Sequence, residues 1–170
     1  MKVFDCFMFY DEELLLDIRM NILNKYVDYF VIVESKFFHN GKNRPLRFDI
    51  NNYSNFKDKI IYIIQDQQPG NLKEISPSDD EGMKSFKLIF NAHQREHSQR
   101  NFIEKGLVTA NDNDIILISD VDEIPNLEQI DIKNLNNKII LFEQAIFYYK
   151  LNRYLPNFKW YGTKACKKKH

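Results

Sequence analysis

Ile115-Ile116-Leu117-Ile118-Ser119 runs directly into Asp120-Val121-Asp122-Glu123-Ile124-Pro125. Three carboxylates within four residues, at the mouth of an apolar strand, repel one another unless something positive lies between them. Side chains alternate along an extended chain, so Asp120 and Asp122 point to the same side. Such a pair can hold a hard divalent cation, Mn²⁺ or Mg²⁺, through oxygen ligands and leave positions for substrate phosphates. The alternative is a solvated acidic turn whose carboxylates serve the local backbone. The apolar strand immediately upstream favours the metal reading.

A second set of ionisable groups lies on a helical stretch, Met83 to Lys105, that Gly106 is placed to stop. At about 100° per residue, the face that begins with Phe86, Ile89 and Phe90 continues through His93, Glu96, His97 and Arg100. If that face points inward, buried charges must be paired or bind something. Arg100, with Arg95 nearby, offers a planar fork for phosphate or carboxylate. The alternative is an internal Arg–Glu pair with capped histidines. No Cys or His cluster has zinc spacing. Glu34-Ser35 and Phe9-Tyr10-Asp11 each end an apolar run. A carboxylate there can accept from a ribose or base and an aromatic can stack on the base, although Phe9 reads as core. Trp160 is either packing or a ring for a sugar to stack on.

The elements that must position these groups follow from the pattern. Lys2 to Phe9, Tyr29 to Val33, Ile60 to Ile64, Asp114 to Ser119 and Lys138 to Tyr149 read as strands. Leu15, Ile18, Ile22 and Tyr26 set the apolar face of a helix over Glu12 to about Lys25, capped by Asp11. Lys36 to Arg47 is a polar loop. Gln65 to Gly82, with Pro69-Gly70 and Pro77, reads as a mobile loop that orders over a ligand or as a plain insertion. This order predicts a single α/β domain with a largely parallel sheet flanked by helices and ligands beyond the strands' carboxyl ends.

The 170 residues suit one domain, and 24 Lys+Arg against 24 Asp+Glu exclude nucleic-acid binding through bulk positive charge. An apolar fraction of 44% excludes disorder. No run approaches a membrane span, and Asp5 interrupts any secretion signal. Cys6 and Cys166 read as reduced thiols. The expectation is a cytoplasmic chain, at most peripheral to a membrane.

Several segments together resemble glycosyltransferase family 17. They are Phe4-Asp5-Cys6-Phe7-Met8-Phe9-Tyr10-Asp11-Glu12 with Leu15 and Arg19; Val27 to Ser35; Gly41 with Pro45-Leu46-Arg47-Phe48; Arg95 to Asn101; and Ile118 to Pro125. Trp160-Tyr161-Gly162-Thr163 is similar to a later family element. The resemblance implies a GT-A-like nucleotide-sugar-binding fold, a UDP-N-acetylglucosamine donor, a glycan acceptor (a β-1,4 link to mannose in the best-known members) and inversion at the anomeric carbon. It implies Asp120 and Asp122 as metal and donor motif, Glu34 near the uridine, and Arg95 and Arg100 holding the donor with Tyr10. Residues 1–125 would form the donor half and 126–170 the start of an acceptor half that relatives extend. Glu123 and Glu143 are present as carboxylates for the acceptor's general base, which has no assigned residue. The alternatives are a domain that binds donor or glycan without turnover, and a haloacid-dehalogenase-type phosphotransferase. The latter carries its DxD near the N-terminus, followed by Thr.

Overall fold

The computed structural model describes residues 1–134, 138–150 and 152–170. Its centre is one six-stranded sheet in the order β3-β2-β1-β4-β6-β5. β1 (Val3–Phe9), β2 (Tyr29–Ser35), β3 (Ile60–Gln65) and β4 (Ile115–Asp120) are mutually parallel. β5 (Ile139–Gln144) and β6 (Trp160–Lys167) complete a mixed sheet, with β6 antiparallel to both β4 and β5. β1 and β2 are buried on both faces, which explains why their sequences are continuous apolar runs rather than alternating ones.

α1 (Glu13–Leu23) covers one face, and α2 (Glu81–Asn101) with the single turn α3 (Ile103–Gly106) covers the other. Phe7, Leu16, Met20, Phe30 and Leu117 belong to the first core, whereas Phe4, Val31, Val33, Ile103 and Ile116 belong to the second. Gly106 lets α3 lie directly on Val31, because a Cβ there would overlap the valine methyl.

Four expectations change. α1 buries Leu16, Arg19, Met20 and Leu23, one position round from the expected face, and Ile18 and Ile22 remain exposed. Glu12, not Asp11, is the N-cap residue of α1, and no side chain caps the helix; the Glu12 carboxylate instead accepts from the preceding Tyr10 and Asp11 amides. The final strand is shorter than Lys138 to Tyr149, and β6, which has no counterpart among the expected strands, inserts between it and β4. On α2 the stripe is reversed: Phe86 and Ile89 are exposed, and the buried positions are Asn91 and Gln99. Residues 66–80 are irregular but fastened to α2, since the Asn91 amide pairs with both backbone groups of Lys73 at 2.7 and 2.8 Å.

Candidate active site

β1 leads through α1 to β2 on one side, while β4, reached over α2, lies on its other side. Strand order therefore reverses at β1, and a crevice opens where the carboxyl ends of β1 and β4 part. It is a cleft of about 710 Å³ whose lining includes Tyr10, Glu12, Phe38, Glu96, Asp120 and Asp122. Four of those side chains are acids, and neither Lys nor Arg lines it.

Asp122 is an exposed residue at this concave mouth. Its carboxyl is held above the ordinary carboxylate range, first by desolvation against the cleft walls and then by the charges of Glu123, Asp120 and Glu12. Asp120 is half-exposed and accepts from Arg100 Nη2 at 2.9 Å, and the same guanidinium reaches Glu96 at 3.4 Å. Arg100 thus supplies the one cation in direct contact with the acidic pair among the described residues. His93 and His97, the other members of the expected stripe, face solvent.

The turn that carries these acids is held from behind by a residue with no assigned role in the sequence. Arg19 is fully buried and forms a two-pronged pair with Asp5, Nε to Oδ2 at 2.8 Å and Nη2 to Oδ1 at 2.6 Å. Nη2 also donates to Ser119 Oγ at 2.6 Å. Nη1 donates to the carbonyls of Asp120, Val121 and Glu123 at 2.9, 3.2 and 3.1 Å. One guanidinium therefore gathers three carbonyls at the end of β4 and the turn that follows, joining the Glu123 amide on Asp120 O and the Thr163 hydroxyl on Glu123 O. A polar residue amid the apolar ridge of α1, between Leu16 and Met20 on the same face, is the sequence signal for it.

Glu123 closes the turn from the other side. One carboxylate oxygen accepts from the Asp120 amide at 2.9 Å and the other from Trp160 Nε1 at 2.7 Å. Gly162 permits that approach, because a Cβ there would come within 2.6 Å of the Glu123 carboxyl carbon. Both oxygens of Glu123 thus brace the turn onto β6.

Tyr10 lines the cleft, with the Arg44 guanidinium 4.1 Å from its ring centre and Phe38 tilted against it at 6.1 Å. Glu34, expected near the uridine, lies beneath and is wholly buried. It pairs with Arg44 at 3.1 Å and accepts from the Arg47 and Phe48 amides and the Tyr62 hydroxyl at 2.8, 3.1 and 2.8 Å. Burial and that bond to Glu34 push the Tyr62 phenol well up. Arg44 also donates to the carbonyls of Tyr10 and Ser35. Arg95 stands outside the cleft and supports its rim: it donates to His39 O at 3.0 Å and Gln68 Oε1 at 2.8 Å. Its guanidinium fills the space beside Gly41, which has the left-handed φ of 86°. Burial lowers the Arg95 pKa.

Among the described residues, no group of three His, Cys, Asp or Glu side chains converges as a ready-made metal cage. The donor chemistry nonetheless suits a hard cation. Asp122 is exposed and its carboxylate meets only its own backbone amide, Asp120 has one oxygen beyond its bond to Arg100, and their neighbours are acids. A diphosphate entering such a mouth meets repulsion that a divalent cation would relieve, with phosphate oxygens completing the shell.

An α/β sheet with an acidic ligand cleft at its switch point defines a class of domains that take their ligands at the strand ends. This chain belongs to glycosyltransferase family 17, whose profile matches residues 1–168. It is 29% identical over 115 residues to the human and rat proteins named beta-1,4-mannosyl-glycoprotein 4-beta-N-acetylglucosaminyltransferase. Those matches cover 65% of this chain and 19% of each relative, so the chain spans about a fifth of the length of the curated relatives. No solved structure matches. None of the described helices is long and apolar enough to cross a membrane.

Proposed function

We propose that the chain is a GT-A-like, metal-assisted transferase domain that takes UDP-N-acetylglucosamine in the cleft between β1 and β4. The sugar passes, with inversion, to a hydroxyl of a mannose-bearing glycan. The observation that carries this is the exposed Asp122 beside Asp120, in a cleft lined by four acids and by neither Lys nor Arg among the described residues, within a chain of a glycosyl-transferring family. Asp122 and Asp120 would hold Mn²⁺ or Mg²⁺, and a bound cation supplies neutralisation of the charge that gathers on the leaving diphosphate. Arg100 keeps Asp120 oriented and adds positive charge at the same mouth. Tyr10 offers an aromatic surface to the base. The acceptor oxygen attacks the anomeric carbon as the bond to the diphosphate breaks, and a carboxylate takes the hydroxyl proton. Glu123 serves this reading as the brace that fixes Asp120 and Trp160.

Titration calorimetry of UDP with and without Mn²⁺ tests the reading. The expected result is metal-dependent binding that Asp122→Ala weakens at least about tenfold, roughly 1.4 kcal/mol. Metal-independent binding of equal strength in both proteins would sink it. A domain that binds donor without turnover is the second reading. Donor hydrolysis and glycan transfer separate the two.

A further inference from the structure

Between the end of β5 and the start of β6 the chain makes an excursion, described over residues 145–150 and 152–159 and crossed by a bridge between Phe147 and Tyr154. Phe147, Tyr148, Tyr149, Tyr154, Phe158 and Trp160 are each between 41% and 90% exposed. Aromatic surface concentrated in this way marks a place that something covers. Part of it is a hollow of about 510 Å³ lined by Glu143, Gln144, Tyr154, Asn157, Phe158 and Lys159 among others. The lining pairs two aromatic rings with planar amide and carboxylate side chains, and it lacks the purely aliphatic character of a protein-docking groove. Rings that cover the C–H face of a pyranose, beside amides and carboxylates that take its hydroxyls, are the chemistry a sugar requires.

β6 links the hollow to the turn that carries Asp120 and Asp122. Around Gly162 the missing Cβ faces Gln144 Oε1 at 2.5 Å and the Glu123 carboxyl carbon at 2.6 Å. Gln144 belongs to the hollow, and Glu123 belongs to the acidic turn. Trp160 joins them, with its ring stacked on Phe158 at 6.3 Å and its Nε1 bonded to Glu123. Glu143 is oriented by Lys159 at 3.2 Å and by the Tyr161 hydroxyl at 3.3 Å.

We infer that this hollow is a pyranoside subsite for the acceptor glycan, with Phe158 and Tyr154 as stacking surfaces and Glu143 and Asn157 as hydroxyl partners. The identification of the occupant as an acceptor rests on the transferase reading above. Mannotriose is the probe, and the sole tryptophan, Trp160, is a built-in reporter. Titrations of the whole chain are followed by fluorescence and calorimetry, with UDP and Mn²⁺ binding measured in parallel. Mannotriose should bind with a Kd on the order of 1 mM and change the Trp160 emission. Phe158→Ala and Tyr154→Ala should each weaken it about tenfold and leave UDP binding unchanged. Glu143→Gln, which keeps the shape, should weaken it less. Failure of mannotriose to bind at about 10 mM, or equal binding in both alanine variants, overturns the subsite. If UDP still binds in that case, the donor reading stands without it. Phe158-dependent mannotriose binding in a chain that ignores UDP keeps the subsite and removes the donor reading.

Discussion

The two edges of the parallel sheet solve opposite problems with opposite charges. Where β1, β2 and β4 end, the chain presents carbonyls, and buried donors collect them. Arg19 takes those of Asp120, Val121 and Glu123, Arg44 those of Tyr10 and Ser35, and Gln99 that of Val33 at 2.9 Å. At the start of β1 the chain presents amides, and aspartates collect two of them. Asp114 accepts from the Lys2 amide at 2.7 Å and Asp28 from the Val3 amide at 2.8 Å. The carboxyl-end arginines are each neutralised by a buried acid, Asp5 or Glu34. They contribute hydrogen-bond direction rather than net charge, and the acidity of the cleft in front of them is left intact. Position within the sheet, more than the ligand, explains why these four charged residues lie where they do.

Arg19→Ala is the strongest way to break the comparison. It leaves Asp5 unpaired at zero exposure and removes one donor from each of three carbonyls, of which Asp120 O keeps the Glu123 amide and Glu123 O the Thr163 hydroxyl. Loss of one partner of a buried pair costs about 3–5 kcal/mol, to be read from the midpoint of urea unfolding. Arg19→Lys should recover less than half, because a single ammonium cannot span both Asp5 oxygens and the turn. Full recovery by lysine would show that charge, not the fork, matters there.

Arg44→Ala should cost less, about 2–3 kcal/mol, since Glu34 retains two backbone amides and the Tyr62 hydroxyl as partners. Its more telling effect is on Tyr10, whose ring loses the guanidinium above it. UDP affinity should therefore fall by more than the loss of stability explains in a fully folded protein. An Arg44 variant as unstable as the Arg19 one would erase the distinction between a turn held at three carbonyls and a loop held at two.

Much of this arrangement could be read from the residues, and what could not has identifiable physical causes. The first four strands were legible because doubly buried strands are unbroken apolar runs, and Asp120 and Asp122 were legible because one such run ends on them. β6 was not, since Gly162 and two lysines interrupt an antiparallel strand whose place is set by a partner about fifty residues earlier. The buried face of α2 was hidden for a different reason. Asn91 and Gln99 look like surface residues but are buried to satisfy the 66–80 segment and the end of β2. Arg19 and Arg44 carry the same lesson, because only the fold shows which carbonyls need a donor. Burial of Glu34 followed from that pairing.

Trp160→Phe probes the seam between the turn and β6 and removes only the Nε1–H bond to Glu123. A loss of about 0.5–1.5 kcal/mol is expected. A loss as large as that of Arg19→Ala would mean that Glu123 holds as much of the turn as Arg19 does.

The smallest effect lies at the opposite edge and is visible only through pH. Burial alone would raise the Asp114 carboxyl, but the amides of Lys2 and Asn111 and the Asn111 side chain outweigh it and hold the group below its ordinary 3.8. A carboxyl depressed on folding contributes stability that is fully present above 3.8 and lost as pH falls through the folded value. Asp114→Asn should therefore be less stable than the parent at neutral pH, and the gap should close below about pH 4. Arg19 and Arg44 stay charged throughout that window. A gap that persists unchanged into acid would show that the amide-collecting aspartate works by shape alone, and that the charge contrast between the two edges is incidental at this end of the sheet.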